Sequence, residues 1–364
     1  MKKRLLAACI TMSICISICA QMHCFAMDGM DALQAAADGI AYPEGMDVFQ
    51  NGTDVLKTTP SEWISLLGNA LLSEIRAPVT LLMTLLILTL LTAILGGVND
   101  AAGSRTLRRA SELICVLVCV GAAANPLCLT LERTAEALTE GSVFMGSFVP
   151  VFGGFLAAGG AVTGAASYQA MMLFAMEWIQ QINVNLLFPL LRAAAALGIA
   201  DAINSSMRLG GIANGMRKIV TTLLWLMMTA FAAILSIRSF VAGAADGLGA
   251  KTVKLLTSSL IPIVGGAVSE AYGTVLGSIR ILQGGTGVLG IIAIAWITVP
   301  PMLSLLAYRT AFGAAGIAAD LVGAEGVKRL CRDADGILVT AFAMLVSYAV
   351  TLMLSSALML TLMT

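Results

Sequence analysis

Catalysis needs nucleophiles, bases or metal ligands at workable spacing, and this chain offers few. Its single histidine, His23, lies in an apolar N-terminal segment together with four of the eight cysteines, Cys9, Cys15, Cys19 and Cys24. Cys115, Cys119 and Cys128 sit in an apolar run, and Cys331 reads as an isolated loop residue. No CxxC pair and no zinc-ligand spacing occurs. Cys115 and Cys119, four residues apart, share a helix face and read as small apolar packing residues. Removal of the N-terminal segment would leave no histidine, the commonest general base and metal ligand. Gly247-Leu248-Gly249-Ala250-Lys251-Thr252 hints at a phosphate loop, but Ala250 stands where glycine is needed and no strand leads in. Gly284-Gly285-Thr286-Gly287, followed by Gly290, lacks a βαβ context for dinucleotide binding. The chain therefore reads as a non-enzyme, with no catalytic, cofactor-binding or metal residue assigned and no cofactor expected.

What remains is charge and broken helix inside apolar sequence. Glu177, Arg192, Glu270 and Arg280 interrupt apolar blocks, where ionisable groups are costly and often functional. Glu177 and Arg280 suit the membrane interface, whereas Arg192 and Glu270 suit the interior. Two elements share one pattern: Ser147-x-x-Pro150-x-x-Gly153-Gly154 and Ser259-x-x-Pro262-x-x-Gly265-Gly266, with apolar residues at every x. Proline frees a backbone carbonyl and paired glycines weaken a helix. In lipid, freed backbone groups must lie against protein or a water-filled cavity. The elements are thus either broken helices facing each other across an interior site, or kinked helices packed through small residues, as Gly160-xxx-Gly164 would allow. The intramembrane candidates are Pro150, Gly153, Gly154, Arg192, Pro262, Gly265, Gly266 and Glu270.

The elements that must carry these residues follow from composition. The 364 residues are 59% hydrophobic and only 12% charged, with mean hydropathy +0.92. A water-soluble globular chain has about twice that share of charge. The chain reads as an all-α, polytopic integral membrane protein with about six to nine transmembrane helices. The net charge of zero gives no reason to expect a nucleic-acid partner. Residues 1–26 read as a signal peptide, with a basic start at Lys2, Lys3 and Arg4, an apolar stretch from Leu5 to Cys19, and small residues before a cleavage point after Ala26. The competing reading is an uncleaved first helix.

Residues 27–77 hold eight acids against two bases, a net charge of −6, and are expected outside the cytoplasm. The polytopic domain then fills 78–364. Val79 to Leu95 is the first span, with Pro78 and Gly96-Gly97 as its boundaries. Arg105, Arg108 and Arg109 follow in a loop expected inside. Leu113 to Leu131 is the next span, and Glu132, Glu136 and Glu140 are expected in an outside loop. Later apolar blocks run at about 144–166, 168–203, 219–237, 255–277, 287–306 and 337–362. The 168–203 block is long enough for two passes but is interrupted by Glu177, Gln180, Gln181 and Asn183.

The two Pro-Gly-Gly elements are offset by 112 residues, which also superposes Arg105 on Arg217 and Pro189 on Pro301. Gly198-Ile199-Ala200-Asp201 resembles Gly316-Ile317-Ala318-Ala319-Asp320, and Ile219 resembles Ile337. A repeat of about 112–118 residues is expected, with units at about 105–216 and 217–336 and a third copy beginning near the C-terminus. The aligned segments Arg105/Arg108/Arg109, Arg217/Lys218 and Lys328/Arg329/Arg332 are all basic, so all should be cytoplasmic. That requires parallel repeats with an even number of crossings each. Arg238, Lys251 and Lys254 fall in a loop that this scheme puts outside, against the rule.

Ala244-Ala245-Asp246-Gly247, Lys251-Thr252-Val253-Lys254 and Ile261-Pro262-Ile263-Val264-Gly265 together resemble the stage III sporulation protein AE family. So does Pro150 through Gly164, with Gly159-Gly160 and Thr163, followed by Pro189. The resemblance covers most of residues 60–364. It implies a subunit of a channel-like complex that joins mother cell and forespore in endospore-forming bacteria. The chain would be multi-pass in the mother-cell membrane facing the forespore. Its partners would be the lipid bilayer and the other membrane proteins of the stage III A operon. The family supplies no catalytic residues. Two other functions stay open: a stand-alone secondary transporter of a small solute, and a membrane scaffold that recruits partners.

Overall fold

The computed structural model describes residues 60–101, 105–158, 162–203, 209–260 and 265–361, with side chains chiefly at 74–98, 110–154, 169–203, 209–234 and 290–356. The signal-peptide segment and most of the acidic segment lie outside the described residues, as does Pro262. Among the described residues the fold is all helical: α1 (Pro60–Ala101), α2 (Arg105–Ala158), α3 (Val162–Ile182), α4 (Phe188–Ile203), α5 (Leu209–Leu260), α6 (Gly265–Val322) and α7 (Glu325–Thr361). A π turn, Asn183–Leu187, joins α3 to α4 without a break, since Ile182 and Phe188 both keep helical dihedrals. Six helical segments are long and apolar enough to cross a membrane: 74–98, 110–154, 169–203, 209–234, 290–322 and 325–356. The chain is a multi-pass membrane protein.

Several expected loops are helix instead. α1 runs through Pro78 and through Gly96-Gly97, which were natural boundaries on local grounds. Proline interrupts an isolated helix, but packed neighbours in a bundle restore the freed groups. α2 is a single helix of 54 residues, about 81 Å long. It passes straight through Glu132, Glu136 and Glu140, because residues 127–140 contain strong helix formers and neither glycine nor proline. α5 likewise continues through Arg238, Lys251 and Lys254. The 168–203 block makes one pass, and its polar interruption is where the π turn falls. The expected unit boundaries 77/78, 216/217 and 336/337 fall inside α1, α5 and α7.

The α1–α2 and α6–α7 pairs are antiparallel hairpins, and polar contacts show it. Arg133 of α2 pairs with Glu74 of α1 at 3.2 Å, and Arg309 of α6 with Asp335 of α7 at 3.3 Å. The tight α6–α7 corner is a Schellman turn. Gly323 takes φ 75°, its N–H reaches the Asp320 carbonyl at 3.1 Å, and Ala324 N–H reaches that of Ala319 at 2.9 Å. Only glycine adopts that φ without strain.

The core is continuous across all helices and is rich in aromatic and methionine side chains. Phe144, Phe148 and Phe152 stack along α2, with centroids 5.4 and 5.8 Å apart. Gly290 of α6 presses against Phe148, where a Cβ would meet ring atom Cε2 at 2.6 Å. Outward faces are apolar too: Ile87, Leu90, Trp225 and Leu321 are all well exposed. A surface of that kind is stable against lipid rather than water.

Candidate functional site

The most unusual feature of this apolar bundle is a buried charged junction where α4, α5 and α7 meet. Asp201, near the end of α4, is 7% exposed. Its Oδ1 accepts the Gly210 backbone N–H at 2.8 Å. A carboxylate there satisfies an otherwise orphaned donor in the first turn of α5 and suits the helix dipole. Glycine at 210 leaves room for that carboxylate, since a Cβ would stand 3.0 Å from Asp201 Oδ2 and push it by a few tenths of an ångström.

Two turns further along α5, Arg217 turns inward. Its Nη2 pairs with Asp333 Oδ1 of α7 at 3.2 Å, with side-chain exposures of only 11% and 5%. Nη1 donates to the Asp333 backbone carbonyl at 3.2 Å, and Nη2 also donates to Asn214 Oδ1. One guanidinium thus holds both backbone and side chain of the same α7 residue. α5 and α7 are parallel, and the paired residues stand equally far from the two helix starts, Leu209 and Glu325.

Small residues allow this approach. At Gly336 an added Cβ would land on Arg217 Nη1 and lie 2.7 Å from its Cζ. At Gly198 of α4 a Cβ would meet the Asp333 Cβ at 3.1 Å. Two polar atoms keep spare capacity: Asp333 Oδ2 and Arg329 Nε are buried without a hydrogen-bond partner among the described residues. The junction has no nucleophile–base pair, and no group of metal-ligating side chains occurs among the described residues. Its chemistry is that of a clamp fixing three helix ends in register.

The residues singled out from sequence are placed differently. Pro150 lies inside α2, half-buried; Gly153 is buried beside Gln169 of α3, and Gly154 is half-buried. Gly265, Gly266 and Glu270 open α6, while Pro262 lies outside the described residues, so no contact between the two Pro-Gly-Gly elements belongs to the described part. Arg192, expected in the interior, is exposed. Its neighbours Leu191, Ala194 and Ala195 take the buried face of α4, which leaves Arg192 turned outward. Glu177 is also exposed, accepting a bond from Gln181 at 2.8 Å. Cys115 and Cys119 are buried on one face of α2, and Cys331 is buried in α7 rather than in a loop.

From sequence Arg217 reads only as part of a basic connecting segment, and nothing singles out Asp333. They are 116 residues apart, and no local pattern brings residues at that separation together.

The family described as stage III sporulation protein AE matches residues 45–363. A stage III sporulation protein AE of Bacillus subtilis (strain 168) is 27% identical over 248 residues, which cover 68% of this chain and 62% of that relative. The matched part thus spans less than two thirds of the relative's length. No solved structure matches the chain.

Proposed function

The chain belongs to the stage III sporulation protein AE family, and from that premise we propose that it is a membrane subunit of a channel or export complex linking mother cell and forespore. The observation that carries this reading is the extent of the family match, which takes in all six segments long and apolar enough to cross a membrane among the described residues. Membership itself gives a role in sporulation. In this reading the protein works without catalysis, in the mother-cell membrane, beside other membrane proteins of stage III. The clamp of Arg217, Asp333 and Asp201 sets the spacing of the helices that partners meet.

The test is isolation of the tagged, full-length chain from sporulating cells in mild detergent. Other stage III A-operon membrane proteins should co-purify with it, and the chain alone in vesicles should move no solute. Solute movement by the purified chain without partners would instead identify a stand-alone transporter.

A further inference from the structure

Well away from the clamp, a cavity of about 260 Å³ opens between α2 and α6. The Arg133–Glu74 pair lines it, and so do Glu136 and Glu140, from successive turns of α2. Neither Glu136 nor Glu140 makes an ion pair among the described residues, whereas Arg133 beside them is engaged by Glu74. The opposite wall is the Pro300-Pro301 step of α6, with the Trp296 side chain one turn before it. Proline has no N–H, so Pro301 cannot donate to the carbonyl of Ile297, a residue of the same wall. Ser304 closes the cavity from the next turn. It is 1% exposed, and its hydroxyl has no hydrogen-bond partner among the described residues.

The cavity therefore presents three carboxylates against the one guanidinium of Arg133, which Glu74 engages, together with an indole, so its lining stays net negative. That set selects a cation, and its spread selects the kind. A metal ion draws oxygens to about 2.0–2.6 Å, yet no group of three acidic, cysteine or histidine side chains is close enough to hold one among the described residues. An ammonium is a compact point charge suited to one carboxylate. A guanidinium is planar, carries five N–H donors in a fixed fork, and stacks on aromatic faces. We propose that the Glu136/Glu140/Ser304 cavity binds a guanidinium group, carried either by a free alkylguanidine or by an arginine side chain of a protein partner. The two carboxylates take the charge, Ser304 Oγ and the Ile297 carbonyl take remaining N–H groups, and Trp296 with the prolines covers the face of the ion. α2 is about 81 Å long against a hydrocarbon layer of about 30 Å, so this charged band near its middle need not sit in lipid.

The test uses the purified full-length protein and two probes, ethylguanidinium and a capped alanine peptide with one central arginine. Ethylurea and the corresponding citrulline peptide serve as neutral isosteres. A saturable rise in melting temperature with a guanidinium probe and none with its isostere is expected. Ethylguanidinium alone acting marks a free ligand, and the peptide alone acting marks a partner's arginine; both results support the site. Glu136→Gln/Glu140→Gln should weaken binding by at least about tenfold, and Ser304→Ala severalfold, with the unliganded melting temperature kept. No saturable response to either probe, or an undiminished one in the Glu136→Gln/Glu140→Gln protein, overturns the proposal.

Discussion

Asp333→Ala removes one partner of the buried pair and leaves the Arg217 guanidinium in an apolar bundle. At the observed 3.2 Å, two unit charges attract by about 5 kcal/mol at an effective dielectric constant of about 20. Breaking a buried pair from one side costs about 3–5 kcal/mol, because the surviving charge has lost its compensation. Asp333→Asn should cost less, about 1.5–3 kcal/mol, since an acceptor remains. Replacing both residues by leucine should be near neutral, because desolvation of both charges is then avoided. Gly336→Ala provides an independent check, since its methyl would occupy the place of Arg217 Nη1. Alone it should cost about as much as Asp333→Ala; in the double-leucine background it should cost about 1 kcal/mol or less. The assay is thermal unfolding of the detergent-purified protein, followed by size-exclusion recovery after heating. The reasoning fails if Asp333→Ala melts with the wild type, or if Gly336→Ala is equally harmful with and without Arg217.

Four further outcomes are expected. Gly290→Val should destabilise by about 1–3 kcal/mol through overpacking on Phe148, and Phe148→Ala should relieve much of that increment in the double variant. Asn183→Leu should raise stability, because Asn183 is 1% exposed and its Oδ1 accepts no hydrogen bond among the described residues; a lowered melting temperature would refute this. Reporters fused after Thr58 and Thr106 should read outside and inside respectively, and the same side for both would sink the proposed orientation. Cysteines placed at Val151 and Ile263, in a background lacking the native ones, should cross-link if the Pro-Gly-Gly elements face each other; consistent failure in a folded, active protein reduces them to separate kinks.

Helix class and membrane character were legible because they rest on summed quantities. Long apolar blocks and scarce charge survive any local error. Breaks were not legible, because proline, glycine and glutamate act on helices through context. Pro78 and Gly96-Gly97 look like ends in isolation, yet α1 runs through all three. Glu132, Glu136 and Glu140 look like a loop to a hydropathy window, but their propensity is helical and α2 simply outruns the bilayer. The clamp was hidden for a different reason. Arg217 and Asp333 are 116 residues apart and each is unremarkable in its own segment. Their pairing depends on α5 and α7 lying side by side in parallel, which no local pattern specifies. The Glu136/Glu140 cavity needed the same information, since its acids come from α1 and α2 and its orphaned hydroxyl from α6.

The placement of basic residues then gains a physical reading. Arg105, Arg108 and Arg109 stand in the first two turns of α2, and Lys328 and Arg329 in the first two turns of α7. Cations at a helix N-terminus oppose the macrodipole, by about 0.3–1 kcal/mol each. Helix stability alone would not put them there. Orientation would, because cytoplasmic loops collect lysine and arginine, and α2, α5 and α7 all begin on one side of the bundle. The fold then offsets the cost with acids at the same corners. Lys328 Nζ reaches Asp320 Oδ1 at 2.5 Å and Glu325 Oε1 at 3.7 Å, and Asp201 caps the start of α5. Arg217 lies just beyond the reach of the α5 terminus and takes the one buried partner, Asp333. Exposed pairs such as Lys328–Asp320 are screened by solvent and contribute little. The buried pair is the member of this series whose loss should move the helices, which makes α5–α7 the joint on which the packing of this end of the bundle depends.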